Sequence, residues 1–241
     1  MSALAVRFGR GFRAAVFGAG GGIGSAFVDA LTGEAGEVFA VSRSPGASGG
    51  IALACDPLNE DDLAHAFAAM GGPVPLVISA VGTLHGEGYG PEKAFRQLEP
   101  AAFEQVMRVN ALAPAMIAKH AALALPKDAP ATIALLSARV GSISDNRLGG
   151  WHSYRAAKAA LNMLIRGLSV ELARTHPQAV VLGLHPGTVD TALSAPFQRG
   201  VPDGKLFTPE RSVRGMLEVI ALSGPEQSGH VYDYAGEQVP A

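Results

Sequence analysis

Charge is scarce in this chain. Of its 241 residues, 19 are basic and 21 acidic, so charged side chains make up 17%, against about a quarter in an average soluble domain. The net charge is −2, and no Lys/Arg cluster forms a basic stripe, which argues against nucleic acid as a partner. There is one cysteine, Cys55, so no internal disulfide forms and a reducing, cytoplasmic setting is expected. With nothing nearby in sequence to lower its pKa, that thiol reads as a small buried hydrophobe. Long apolar runs are missing too. Arg7, Arg10 and Arg13 precede the apolar stretch Ala14–Ala19, but this run is too short for an export signal and ends in glycines. The stretch Ala111–Leu125 is broken by Pro114, Lys119 and His120, so no membrane span is expected. The histidines lack the spacing to Cys or carboxylates that a metal site needs, and none is expected.

What is present is apolar residues, at 48%, with 30 glycines and 16 prolines. That content excludes disorder, and the length suits one large domain. Strand-like and helix-like segments alternate. Arg13–Gly18, Val38–Ser42, Ile51–Cys55, Val74–Ser79, Thr132–Ser137, Ala179–Leu184 and His230–Tyr234 read as strands. Helices are expected over Gly22–Leu31, after an Asn59 cap, over Ala101–Leu123, over Ser153–Arg174 and after a Thr208-Pro209 cap. Several strands are continuous apolar runs, the pattern of a parallel sheet covered on both faces. The expected architecture is α/β: a doubly wound, mostly parallel, Rossmann-like sheet in one domain, residues 1–241. The segment 192–207, with Pro196, Gly200, Pro202 and Gly204, reads as a mobile substrate lid.

The first strand runs into Gly18-Ala19-Gly20-Gly21-Gly22-Ile23-Gly24 and then a helix. Glycines there let the backbone approach a pyrophosphate, and the helix start offers unpaired N–H groups and a positive dipole end. The second strand ends at Ser42-Arg43 with no acid. An acid at that point would favour the ribose 2′-hydroxyl of NAD, whereas Arg43 suits a 2′-phosphate. NADP(H) is therefore the preferred cofactor, with NAD(H) as the alternative. Further on, Tyr154-Arg-Ala-Ala-Lys158 places a phenol and an ammonium on one helical face. A cation about 4 Å away at an effective dielectric near 20 favours the phenolate by roughly 4 kcal/mol. The pair therefore predicts a tyrosine of lowered pKa acting as an acid–base.

At these residues the chain resembles the single-domain short-chain dehydrogenases/reductases. Gly18, Gly22 and Gly24 match their Gly-x-x-x-Gly-x-Gly turn, Asn110 their helix asparagine, Tyr154 and Lys158 their Tyr-x-x-x-Lys, and Pro186-Gly187-Thr188-Val189-Asp190-Thr191 their Pro-Gly segment. Leu84-His85, Pro91-Glu92-Lys93, Ser137–Ile143 and Gly149–Tyr154 are similar to the C-factor-like branch, near the sniffer-type carbonyl reductases. The resemblance implies reduction of a carbonyl to an alcohol, or the reverse, on a small-molecule substrate. Tyr154 would be the general acid, Lys158 its support and ribose contact, and Asn110 the holder of a water. Asp56 would contact the adenine, Gly82 the adenine-side backbone, and Val189 and Thr191 the carboxamide.

The sequence departs from the family at Phe17, at Ser79-Ala80-Val81-Gly82 and, for catalysis, at Ala138, where the family commonly carries its catalytic serine. Ser137 is taken as the substrate-orienting hydroxyl, with Ser142, or no serine at all, as the alternatives. Apolar surface left on the Tyr154 helix and on the last helix and strand implies a homodimer or homotetramer. The other function class is a dinucleotide-binding signalling protein of C-factor type with little turnover.

Overall fold

Alternation along the strands builds a core on two sides. In β1 (Arg13–Phe17), Ala14 and Val16 join one buried cluster, while Ala15 and Phe17 join the other, as period-two geometry requires. The same split recurs in β4 (Leu76–Ser79), β5 (Ala131–Leu136) and β6 (Ala179–His185). With β2 (Glu37–Ser42), β3 (Ile51–Ala54) and β9 (His230–Asp233), these form a seven-stranded sheet ordered β3-β2-β1-β4-β5-β6-β9. Every pairing in it is parallel. The computed structural model describes residues 1–46 and 49–241; no candidate site residue lies at 47 or 48.

Helices α1 (Ala3–Phe8), α2 (Gly22–Thr32) and α7 (Pro209–Leu222) cover one face. The other is covered by α3 (Glu60–Met70), α5 (Ala113–Ala124) and α6 (His152–Leu172). Asn59 caps α3, its Oδ1 accepting from the Asp61 and Asp62 amides, and Thr208 caps α7. Strand order reverses between β1 and β4, so their carboxyl ends diverge into the crevice that doubly wound sheets use for ligands.

Three features depart from the expected elements. Helix α1 was not expected; Arg7 fastens it to the sheet, donating to Thr132 Oγ1 at 3.2 Å and to the Ser223 carbonyl. The helix expected over Ala101–Leu123 is divided into α4 (Pro100–Met107), a π-helical turn over Arg108–Leu112, and α5. Pro114 has no N–H for the carbonyl four residues back, and the Ala113 amide reaches instead to Arg108, five residues back. A two-residue parallel ladder, β7 (Thr188–Val189) with β8 (Leu206–Phe207), brackets the segment 192–207.

The α6 side of the core sets where the Tyr154 helix lies. Leu161 and Ile165 are fully buried against β5 and β6. Leu161→Ala is expected to lower unfolding free energy by about 2–5 kcal/mol, and Asn59→Ala by about 1 kcal/mol, both measured by urea denaturation.

Candidate active site

The glycine turn is dictated by contact as well as by conformation. Gly18 has φ +84°, and a Cβ there would lie 2.9 Å from the Ala80 carbonyl carbon. At Gly24 a Cβ would lie 2.0 Å from the Gly18 oxygen, and at Gly22 2.8 Å from Thr191 Cγ2. Thus β1, β4, α2 and the segment after β6 meet with no room for side chains. The first-turn amides of α2, those of Gly22, Ile23 and Gly24, have no acceptor within the helix, and Gly21 caps it without a side-chain bond.

Above this turn opens a cleft of about 520 Å³. Gly18, Ser42, Arg43, Asp56, Gly82 and Tyr89 are among its lining residues. Arg43 is exposed at the end of β2, and among the described residues no acid pairs with it. Asp56 Oδ1 accepts from the Leu58 amide at 3.0 Å, closing the turn before α3. Cys55 also faces the cleft, but burial and then the charges of Asp62 and Asp56 push its thiol up to about 11, so it stays protonated. A cradle of glycines, free amides and a cation fits a dinucleotide phosphate.

Tyr154 and Lys158 are not among the residues lining this cleft; their helical spacing holds, but the electrostatics differ from expectation. Lys158 is 2% exposed. Its Nζ donates to the Leu136 carbonyl at 2.8 Å and stands 5.6 Å from the Tyr154 ring centroid. Burial pushes Tyr154 up to about 12 and Lys158 down to about 7. The expected lowering of the Tyr154 pKa is not found, because burial penalises the charged form of both groups. The phenol stays protonated, the form in which it can give a proton.

Asn110 is fully buried in the π-helical turn. Its Oδ1 accepts from the Thr83 amide at 3.1 Å, and its Nδ2 donates to the Thr83 and Val106 carbonyls. A Cβ on Gly82 would lie 3.1 Å from that Oδ1 and 3.8 Å from Lys158 Nζ. Gly82, Asn110 and Lys158 therefore form one packed group. Thr83 continues it outward, its hydroxyl 2.9 Å from the Tyr89 hydroxyl.

The serines are engaged elsewhere. Ser137 Oγ donates to Asn162 Oδ1 at 2.6 Å, because Ser137 follows Leu135 and Ile133 on the strand face that looks toward α6. Ser142 Oγ donates to the Ala241 oxygen and accepts from the Asp145 amide. Neither hydroxyl has a hydrogen bond to Tyr154 among the described residues. Ala138, on the opposite face from Ser137, carries no hydroxyl.

Pro186, Gly187, Val189 and Thr191 lie between the glycine turn and the segment 192–207. Ser212 Oγ donates to the Pro186 carbonyl at 2.6 Å, and Gly187 sits under the Phe207 and Tyr234 rings. Ser194 Oγ donates to the Val189 carbonyl at 2.5 Å, and Gln198 Nε2 to Asp190 Oδ1 at 2.9 Å. These bonds carry Phe197 over the site. Its ring lies 5.5 Å from Trp151 and 5.7 Å from His85, and Trp151 lies 6.2 Å from Tyr154. His152 turns away and packs edge-on to Phe95. Sequence reasoning did not find Phe197, Thr83, Tyr89 or Asn162 as site neighbours; a lone loop aromatic or hydroxyl leaves no periodic signal.

The turn into α6 is strained. Gly149, Gly150 and Trp151 are consecutive left-handed residues, with Trp151 at φ +51°, a conformation costing a non-glycine residue about 1–2 kcal/mol. The Trp151 amide donates to the Glu92 carbonyl at 2.5 Å, and the buried Glu92 carboxylate accepts from the Ser153 amide and hydroxyl. Burial opposes ionisation of Glu92, but the Ser153 hydroxyl, the backbone amides and His152 together hold its carboxyl below the usual range.

Comparison with known proteins agrees with this geometry. The chain is 36% identical to the C-signal of Myxococcus xanthus over 170 residues, which span 70% of this chain and 93% of that protein. It superposes on the NADPH-bound carbonyl reductase from chicken fatty liver with a TM-score of 0.83 at 25% identity, covering 96% of this chain and 100% of the other. The carbonyl reductase Sniffer of D. melanogaster gives a TM-score of 0.80 at 19% identity, again covering 96% and 100%. Residues 13–201 match the family described as short chain dehydrogenase, a span that runs from β1 through the glycine turn, Asn110, Tyr154 and Lys158 to Thr191. By that match the chain belongs to the short-chain dehydrogenase family of oxidoreductases, whose fold binds a nicotinamide dinucleotide.

Proposed function

We propose that this chain reduces the carbonyl of a ketone or aldehyde to an alcohol, or runs the reverse, with NADP(H) preferred over NAD(H). The observation that carries the reading is the buried Lys158 Nζ held between the Tyr154 ring, the Leu136 carbonyl and the Gly82–Asn110 turn. A reduced nicotinamide supplies the hydride when bound. Tyr154, protonated at neutral pH, donates its phenolic proton to the carbonyl oxygen. Lys158 stabilises the phenolate left behind and contacts the cofactor ribose. The Asn110 amide is engaged by Thr83 and Val106, so its main-chain carbonyl, which Pro114 has no N–H to meet, is the atom that holds a water for proton return. Ser137 orients the substrate carbonyl; to do so its hydroxyl must leave Asn162.

Ser42, Arg43 and Asp56 take the adenosine end, Gly18, Gly22, Ile23, Gly24 and Gly82 the backbone contacts, and Pro186, Gly187, Val189 and Thr191 the nicotinamide end. The segment 192–207 is the substrate lid, and its Phe197 with Trp151 and His85 favours an apolar carbonyl compound. Met163, Leu164 and Val170 are exposed on α6 and Leu112 beside α5, which supports a homodimer or homotetramer; the cytoplasmic setting rests on the single cysteine. The surface on α7 that was also expected to join such an interface is mostly spent in its own core, through Val213, Met216 and Ile220. The kinship with a C-signal favours a second reading, a dinucleotide-binding signalling protein with little turnover. NADPH consumption across a carbonyl panel separates the two.

Tyr154→Phe is expected to lower kcat by about 10²–10⁴-fold while NADPH affinity by titration stays near wild type. Ser137→Ala should cost less than Tyr154→Phe, and a larger loss in Ser142→Ala would move the orienting role there. Arg43→Ala is expected to weaken NADPH binding about tenfold by removing a charge-assisted bond, with NADH binding unaltered; equal losses for both cofactors would remove the 2′-phosphate assignment. Lys158 titrates at about 7 when folded, against 10.5 ordinarily. Between these values the unfolded chain binds a proton that the folded one lacks, so stability of the unliganded protein rises with pH. Above pH 10 Tyr154, raised to about 12, reverses the trend. Urea denaturation at about pH 7 and about pH 9 should show the rise, and Lys158→Met should abolish it.

A further inference from the structure

Glu92 is an acid held where acids are rarely found. It is 7% exposed, lies between β4 and α4, and binds a helix that begins 60 residues later in sequence. Its carboxylate oxygens take both donors of Ser153, the amide at 3.2 Å and the hydroxyl. Its own carbonyl takes the amide of Trp151. Trp151 is the N-cap of α6 and makes no side-chain cap bond, so Glu92 replaces from a distance what a Ser, Thr, Asp or Asn normally does locally. Its charge also stands at the positive end of the helix. The residue that follows Ser153 is Tyr154, and the ring of Trp151 packs against it.

We propose that Glu92 is a positioning residue: its carboxylate and carbonyl fix the left-handed entry of α6 and thereby set where the Tyr154 phenol stands. The inference rests on the reading of Tyr154 as the general acid. An ordinary cap secures only its own helix. This one joins the helix to the loop that lines the cofactor cleft at Gly82, Thr83 and Tyr89, so it fixes the acid relative to the cleft. Misplacing a reacting group by a fraction of an ångström lowers turnover without altering cofactor binding.

Trp151 is the chain's single tryptophan, so its emission reports the clamp without any substrate. The test compares wild type, Glu92→Gln, Glu92→Asp and Ser153→Ala by tryptophan emission, by NADPH titration and by reduction of a carbonyl that the wild type turns over. Glu92→Gln removes the charge and one of the two carboxylate oxygens, so the Ser153 amide and hydroxyl no longer share a charge-assisted acceptor. It is expected to shift Trp151 emission and lower kcat about tenfold, with the KM for NADPH changed less than about twofold. Glu92→Asp, which keeps the charge, should recover part of the loss. Ser153→Ala, which keeps the amide bond, should cost about threefold and serves where Glu92→Gln does not fold. Wild-type emission and kcat in the variants overturn the proposal, even if their melting temperature falls, because the clamp then serves stability alone. A wild type inert toward every carbonyl overturns the reduction reading and this inference with it; an active wild type with unaltered variants overturns this inference alone.

Discussion

A lysine side chain buried at the carboxyl end of a parallel sheet is the constraint around which the site is arranged. Removing a charge from water is costly unless a partner is supplied. Lys158 finds one in the Leu136 carbonyl, which is free because β5 ends there. That bond fixes α6 over the end of the sheet. It also requires close neighbours without bulk. Gly82 leaves space for Nζ and for Asn110, and at Gly141 a Cβ would lie 2.8 Å from the Lys158 backbone. The same dry surroundings keep Tyr154 protonated, so one burial decision sets the charge state of both groups.

The site divides into two chemistries. The cleft itself is polar toward β2 and β3, where Arg43, Ser42 and Asp56 line it beside the glycine turn. Beside Tyr154, and not among the cleft's lining residues, stands an aromatic cluster in which Trp151 meets Phe197 and Tyr154 edge-on and His85 lies tilted against Phe197. The hinge between the halves is the group made by Gly82, Asn110 and Lys158. The π-helical turn matters here because it rotates Asn110 inward, where its amide closes the loop at Thr83. A regular helix through Pro114 would place that residue on a different face.

The scarcity of charge follows from this architecture. A sheet covered on both faces buries its central strands almost completely, and β4 and β5 expose no residue at all, while the edge strand β3 stays largely exposed. Few positions are left for charged side chains. Several of those that exist are structural: Arg13 pairs with Glu37 at 2.6 Å at the sheet's amino end, and Arg7 holds α1 down. Arg7 and Arg13, two of the three arginines that precede the first glycine turn, are used as staples.

Apolar periodicity, local caps and the glycine turn determined the fold from sequence alone. Each is a short-range pattern, and the strand and helix bounds it implies differ from those observed by a residue or two, except where Pro114 and Asn110 break a helix. The Tyr154–Lys158 pair was legible for a related reason, since its spacing survives in the linear chain, whereas Asn110 was named only through the resemblance to the family. Tertiary structure alone decided the rest. The face on which Ser137 lies, the reach of Phe197 to Trp151 and His85, and the hold of Glu92 on Ser153 join residues 25 to 112 positions apart. The penalty that burial sets on charge at Tyr154 and Lys158 is likewise a property of the packed interior. Such contacts arise only when separate strands and loops converge, and no local pattern in the chain encodes where they meet.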